Sequence, residues 1–410
     1  ALVGMATKFT SCSLALKYRH IGPDGSASGG PMYFLTYGLC QRWLGVLFAL
    51  FAGVASFGIG CAVQANSVAD GLVSILPATA AIPRLPEGVP IIGGTLVIKP
   101  VIGIGMAALV ALVILGGIKR IALVASRIVP LMCAIYIAGA LLVLLRNAAG
   151  VPAAFLQIIE YAFSPVAVGG GFFGVVMQRT IQKGVARGVF SNEAGLGSAP
   201  MAHAAAKTRE PIREGFVAML GPFIDTIVVC TMTALVIIVT GAWHVRGAED
   251  ELLYGPGGPG VPVLVDGVQV VGDVSTGAPF TAPDGSLYPV PTGASLTGEA
   301  FALGIGGLGR YIVAIGIMLF AYSTMISWSY YGDRCWGYLL GPRAVTPYRW
   351  IFCVFVVIGT VSGLDLVWLV SDNLNALMAI PNLVGLLGLA GIVVKENRDY
   401  IRRMQETGTL

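Results

Sequence analysis

The sequence predicts an all-α polytopic membrane protein, and three observations carry that prediction. Hydrophobic residues fill 56% of the 410 positions and charged residues 11%, where a soluble domain carries about 25% charge. Mean hydropathy is +0.82. Uncharged runs long enough to cross a bilayer recur along the chain. These figures exclude a soluble enzyme, a disordered chain and a disulfide-stapled secreted domain. The net charge of +4 is too small and too dispersed for a nucleic-acid partner. The bilayer is the partner that the composition demands.

The elements follow in chain order. Residues 1–6 are already apolar and carry no signal-peptide pattern. The expectation is a chain that opens partway through a helix, with further sequence upstream. Uncharged windows then place spans at 43–69, 100–118, 128–145, the glycine-rich 161–178, 215–243 (broken only by Asp225), 311–332, 350–364 and 373–394. With the opening helix this makes about nine spans. Sorting the 25 Lys and Arg residues over alternating ends leaves Lys8 and Arg179, within or near spans, unassigned and puts eighteen on one side, among them Lys17, Arg187, Lys207 and Arg403. Five fall on the other: Arg84, Lys99, Arg146, Arg246 and Arg310. The rich side is read as cytoplasmic, and the C-terminus lies there. The organisation predicted is membrane helices over 1–245, an outer loop over 246–299, membrane helices over 300–395 and a cytoplasmic tail over 396–410. In the loop, Asp266-Gly267 between two β-branched runs signals a two-residue hairpin, and Pro283-Asp284-Gly285 a second turn.

Enzyme motifs are missing: no HExxH, P-loop or GxSxG occurs. A single GxGxxG, Gly304 to Gly309, has no strand before it and reads as a flexible lead into a span. The seven cysteines form no CxxC pair and read as apolar filler. His20, His203 and His244 are too scattered to suggest a metal site.

The unusual segment is 166–207. Gly169-Gly170-Gly171 costs about 1 kcal/mol per glycine against alanine in a helix interior. A broken helix would expose backbone groups beside a cavity and offer a half-helix N-terminus to an anion. Close packing through small residues accounts for the glycines equally well. The polar runs Arg179 to Lys183 and Ser191 to Pro200 favour the break. Two spans carry polar stripes. Gly53, Ser56, Gly60, Gln64 and Ser67 share one helical face. Ser323 and Thr324 offer hydroxyls suited to a hard cation, with Trp328 on the face of Thr324; membrane Ser and Thr also bond their own i−4 carbonyls. Asp225, the one acid deep in a long apolar window, suits either a functional carboxylate or a structural partner for a helix end.

Several strings together resemble the alanine-or-glycine:cation symporter family. They are Gly4-Met5-Ala6-Thr7-Lys8-Phe9, Gly29-Gly30-Pro31-Met32-Tyr33, Val63-Gln64-Ala65-Asn66-Ser67, the run Phe190 to Pro200 with Ala202 to Thr208, Phe223-Ile224-Asp225-Thr226, Ser329-Tyr330-Tyr331-Gly332 and Ala379-Ile380-Pro381-Asn382-Leu383. The resemblance runs to about Tyr400, the outer loop excepted. It implies the leucine-transporter fold, an inverted-repeat bundle with a broken helix and midplane sites. It also implies uptake of alanine or glycine with Na⁺ as the coupling ion and no other cofactor, in the cell membrane. Gln64 would line the amino-acid site. Gly169, Gly170, Gly171, Phe172 and Phe173 would form the unwound helix of the second repeat, Trp328 the side-chain wall, and Ser323 and Thr324 a sodium site. Two departures stand out. The family's broken first core helix is missing from this chain and is expected upstream, and the outer loop is longer than the family pattern. A membrane-embedded enzyme or a structural subunit is the rival reading. The lack of a metal or nucleophile constellation argues against the first, and the polar stripes against the second. No charge ring or repeated filter suggests a channel.

Overall fold

The computed structural model describes residues 1–22, 27–75, 98–163, 184–243, 245–246, 252–254, 263–265, 268–273, 278–281, 287–288 and 293–407. The helices are α1 (Leu2–Lys17), the three-residue α2 (Pro31–Tyr33), α3 (Arg42–Phe57), α4 (Val63–Ile75), α5 (Ile98–Ile114), α6 (Gly117–Arg146), α7 (Val151–Phe163), α8 (184–192), α9 (Ala199–His203), α10 (Pro211–Pro222), α11 (Thr231–Thr240), α12 (Gly293–Ile305), α13 (Leu308–Leu340), α14 (Val345–Val361) and α15 (Leu364–Glu406). A π-helical turn, Gly58–Ala62, joins α3 to α4, and another, Phe223–Cys230, joins α10 to α11. Among the described residues six helices are long and apolar enough to cross a membrane: Arg42–Ala69, Gly117–Arg146, Pro211–Thr240, Leu308–Leu340, Pro342–Val361 and Leu366–Glu406. This is an all-α polytopic membrane protein.

The windows match these helices with instructive differences. The span expected at 128–145 is the second half of α6, which starts at Gly117 and carries Lys119, Arg120 and Arg127 in its first turns. A charge near a helix end reaches the interface by extending its stem, so charge-free counting clips such helices. Only 6% of the apolar window of Pro211–Thr240 is buried against the rest of the chain, compared with 67% for Arg42–Ala69. The first presents its face outward; the second is the central post. The window at 161–178 lies almost wholly outside the described residues.

Successive spans run antiparallel, so the strand-rich segment between α11 and α12 marks one end of the bundle, the loop end. The end of α15 marks the other, the tail end. In the loop, β5 (Val263–Val265) pairs antiparallel with β6 (Val268–Asp273), Val265 opposite Val268. The two residues between are the expected hairpin turn, Asp266-Gly267, which themselves lie outside the described residues. Strand β7 (Ala278–Thr281) pairs with β6 and with β8 (Leu287–Tyr288). Gly306, at φ +80°, makes the turn between α12 and α13, the role expected of the GxGxxG run.

At the tail end the Lys17 ammonium pairs with Glu396. Arg19 donates to the carbonyl oxygens of Ala204, Ala206 and Thr208 at 3.2, 2.7 and 2.8 Å, fixing the chain just after α9. One sorted cation does not lie where charge counting puts it. Arg187 pairs with Asp372 at 2.6 Å, two turns from the start of α15 and therefore nearer the loop end. Charge sorting assumes that a cation between spans reaches the surface. An ion pair with a stacked ring removes that need.

Candidate functional site

The polar stripe of the Arg42–Ala69 span is a helix–helix seam. A side chain built on Gly53 would lie 3.1 Å from Trp336 Nε1, and one on Gly60 would lie 2.1 Å from Trp328 Cβ. Ser56 Oγ lies 2.9 Å from the Cβ position of Gly332. The pairs 53/336, 56/332 and 60/328 step along two antiparallel helices one turn at a time. Ser56 also shares a hydrogen bond of 2.9 Å with Tyr348 Oη. Gly359 of α14 meets the Ala62 backbone so closely that its Cβ would lie 2.5 Å from Ala62 Cα. Asn66 Nδ2 donates to the carbonyl oxygens of Gly359 and Ser362, at 3.2 and 2.8 Å, tying α4 to the end of α14.

Sequence reasoning named Gln64 on this face of the α3–α4 span and Thr324 and Trp328 on α13; the fold sets Trp328 against Gly60, one turn before Gln64. Gln64 is buried, and its amide donates to the Ile59 carbonyl at 3.3 Å across the π-helical turn. Trp328 is buried against Gly60 and edge-on to Tyr331, with ring centroids 5.3 Å apart. Thr324 is half-buried and its hydroxyl has no hydrogen-bond partner among the described residues. Ser323, one residue away, donates to the Phe320 carbonyl at 2.8 Å, the intrahelical bond typical of membrane serines; its lone pairs remain available to a cation. Gly169, Gly170, Gly171, Phe172 and Phe173 lie outside the described residues.

A second constellation gathers residues that the sequence reading left off its site. Between α8 and α9 the chain leaves the helix, with Glu193 at φ +49°, Gly195 at +89° and Gly197 at +92°. A side chain on Gly197 would lie 2.6 Å from the Phe48 ring and 2.7 Å from Pro31, so only glycine fits there. This break lies deep: Asn382, near the middle of the uncharged run 373–394, donates from Nδ2 to the Gly195 carbonyl at 2.8 Å. Non-helical backbone at such depth must find polar partners within the protein. Lys8 Nζ donates to the Asn192 carbonyl at 3.0 Å, and Thr226 Oγ1 to Asn192 Oδ1 at 2.8 Å. Ser198 Oγ donates to Glu193 Oε2 at 2.9 Å, and Tyr331 Oη reaches the same oxygen at 3.5 Å. Asp225 accepts from Ser191 Oγ at 2.5 Å, so in this structure it serves the end of α8, the structural alternative of its two readings. The signal for this break was in the sequence, as the string Ser191 to Pro200. What the string could not supply was the partners, which come from α1, the π-helical turn Phe223–Cys230, α13 and α15.

The sequence model of the sodium:alanine symporter family matches residues 1–253 and 283–409. The stretch it leaves out lies within the loop that departs from the family pattern. The chain is 41% identical over 407 residues to the sodium/alanine symporter AgcS of Methanococcus maripaludis, covering 98% of this chain and 75% of that protein. It is 40% identical over 407 residues to an uncharacterized transporter of Haemophilus influenzae, covering 99% and 76%. A probable sodium/glutamine symporter of Bacillus subtilis, GlnT, is 30% identical over 404 residues, covering 98% and 70%.

Proposed function

Because the chain belongs to the sodium:alanine symporter family, we propose that it imports alanine or glycine across the cell membrane together with Na⁺. The chain is a membrane symporter and not an enzyme. The observation that supports the finer reading is the seam between α3–α4 and α13. There Trp328 packs on Gly60, one turn before the buried amide of Gln64, and Thr324 precedes Trp328 by one turn on α13. Gln64 hydrogen-bonds the substrate, Trp328 bounds its side chain, and the Thr324 and Ser323 oxygens ligate Na⁺. The glycine run 169–171 with Phe172 and Phe173 completes the pocket. The bundle is the inverted-repeat fold of the leucine transporter, and the tail from residue 396 lies in the cytoplasm.

Coupling follows from shared ligation. Sodium drawn to the Thr324 hydroxyl raises the positive potential beside Gln64 and favours a ligand that carries a carboxylate. Rocking of one part of the bundle against the other then opens the occupied site inward. One Na⁺ moving down 100 mV contributes about 2.3 kcal/mol, before any concentration gradient. Trp328, buried and packed at its root on Gly60, bounds the pocket. Such a wall accepts one methyl group or none. One relative carries glutamine in its name, so the family scaffold also suits larger side chains where the wall differs.

The test is uptake of labelled alanine and glycine into proteoliposomes under an inward sodium gradient. Uptake with sodium and none with choline is expected; equal uptake in both would overturn the sodium assignment. Thr324→Ala should raise the sodium concentration for half-maximal uptake. Gln64→Leu, which nearly keeps the volume, should leave the melting temperature in place and abolish stabilisation by alanine. A lower melting temperature with alanine binding intact would make Gln64 a structural residue only.

A further inference from the structure

On α15, Trp368, Asp372 and Asn375 follow at i, i+4 and i+7 and share one helical face. Helix α8 lies on that face. Arg187 of α8 reaches Asp372 Oδ2 at 2.6 Å, with both side chains 39% exposed. Its guanidinium carbon lies 4.1 Å from the centre of the Trp368 ring and 5.8 Å from that of Phe190. The two rings themselves lie 5.4 Å apart. Trp368 packs in turn on Ala62 and Val63, beside the π-helical turn that precedes Gln64. So this ion pair sits beside the α3–α4 junction, near the level of Gly60 and Trp328.

The bonding here is incomplete in two complementary ways. Arg187 Nη1 is buried and donates to nothing, while Asn375 Oδ1 and Ser371 Oγ are buried and accept from nothing. An unmet buried polar group costs about 1–3 kcal/mol. An unsatisfied donor on the cationic side of the pair calls for an anion. Ser371 Oγ faces Gly58, but the unsatisfied Asn375 oxygen, on the helical face of the carboxylate, calls for a cationic donor. An ion pair alone supplies neither, because each partner has already met its opposite. One small molecule carrying both charges supplies both.

We propose that the Arg187–Asp372 pair is a binding site for the zwitterion of an α-amino acid, distinct from the Gln64 seam on α13. The ligand carboxylate lies on the Arg187 guanidinium, taking both terminal nitrogens in the bidentate geometry that arginine favours. The ligand ammonium donates to Asp372, and to Asn375 Oδ1 one turn further on. Trp368 and Phe190 hold the guanidinium plane in place while the pair parts. The net charge of the site is unchanged by the exchange, so the ligand enters without leaving a lone charge in the membrane. This inference rests on the reading of the protein as an amino-acid symporter, and it names which charges of the protein meet the two charges of the substrate at this second position.

The experiment is equilibrium binding of labelled alanine to purified protein in sodium, with propionate and ethylamine as competitors that each carry one of the two charges. The variants are Arg187→Gln, Asp372→Asn and the double substitution, which leaves no unpaired charge and so keeps the fold testable. The wild-type protein should bind two alanines, and the double variant should bind one with its melting temperature little changed. Arg187→Gln should abolish competition by propionate at the second site while sparing that by ethylamine, and Asp372→Asn should do the reverse. A double variant that binds alanine with wild-type stoichiometry and affinity would overturn the proposal and leave the symporter reading standing. A wild-type protein that binds no amino acid in sodium would overturn both.

Discussion

The tightest approach on the seam is at Gly60, and its replacement by alanine tests the register on which the site depends. An added Cβ would sit 2.1 Å from Trp328 Cβ, 2.3 Å from Cγ and 2.8 Å from Cδ2. The first of these atoms, Cβ, is fixed by the backbone, so no rotamer removes that clash. Restoring a carbon–carbon contact of about 3.5 Å means parting the two helices by about 1.4 Å. Overpacking of this kind costs about 1–3 kcal/mol, and more where backbone must move. Gly53→Ala provides the graded comparison. Its Cβ would meet Trp336 Nε1 at 3.1 Å, a contact relieved by a few tenths of an ångström. Gly105→Ala provides the null, because nothing lies within 4 Å of its Cβ position. There alanine gains up to about 1 kcal/mol of helix propensity. Thermal unfolding in detergent should rank the melting temperatures Gly105→Ala, Gly53→Ala and Gly60→Ala from highest to lowest. Sodium-driven uptake should be lost in the last alone. Equal melting temperatures and uptake for Gly60→Ala and Gly105→Ala would refute the seam.

Trp328→Ala should admit bulkier amino acids while weakening alanine, read as a changed substrate profile in competition assays; a folded variant with no new substrate would remove the wall role. Asp333 is buried and bonded to Arg349 at 2.5 Å, so Asp333→Ala should cost about 3–5 kcal/mol by leaving the arginine unpaired. The double variant Asp333→Leu, Arg349→Met should recover most of that melting temperature, and no recovery would show that the pair is not the cause. Asn382→Leu removes the donor to the Gly195 carbonyl and should lower stability by about 1–3 kcal/mol. Unchanged melting would mean that water replaces the amide at the break.

How much of this was legible depended on whether a feature repeats along one element or converges from several. The spans were legible because lipid imposes a long, one-dimensional requirement that a single stretch of sequence must meet. The stripe from Gly53 to Gln64 was legible for the same reason, since helical periodicity puts its members on one face whatever lies opposite. The sequence did not say that this face meets α13, nor that Gly60 meets Trp328, because that depends on the register of two segments more than 250 residues apart. The hairpin of β5 and β6 was legible from two residues, because a two-residue turn fixes its own register.

The break between α8 and α9 shows the opposite case. Ser191 to Pro200 was visible as a string too polar for lipid, yet the glycines at 169–171 drew the site assignment. Three consecutive glycines are a local signal. Gly195 and Gly197, singly spaced, reveal their need for positive φ only in three dimensions. Lys8, Thr226, Tyr331 and Asn382 each read as an isolated polar residue in an apolar helix. Lys8 and Asn382 donate to backbone carbonyls at the break, and Thr226 and Tyr331 donate to the side chains of Asn192 and Glu193 that flank it. Arg187 was assigned by charge sorting to the end away from its ion-pair partner Asp372. The positive-inside rule describes charges that stay in water, and a guanidinium that is stacked on Trp368 and paired with Asp372 is not one of them. Where a membrane protein keeps a charge away from water, the cost of holding it there is itself the sign of a ligand-binding or structural role. The polar atoms left unbonded beside this pair, Arg187 Nη1 and Asn375 Oδ1, are the observation on which the proposed amino-acid site rests.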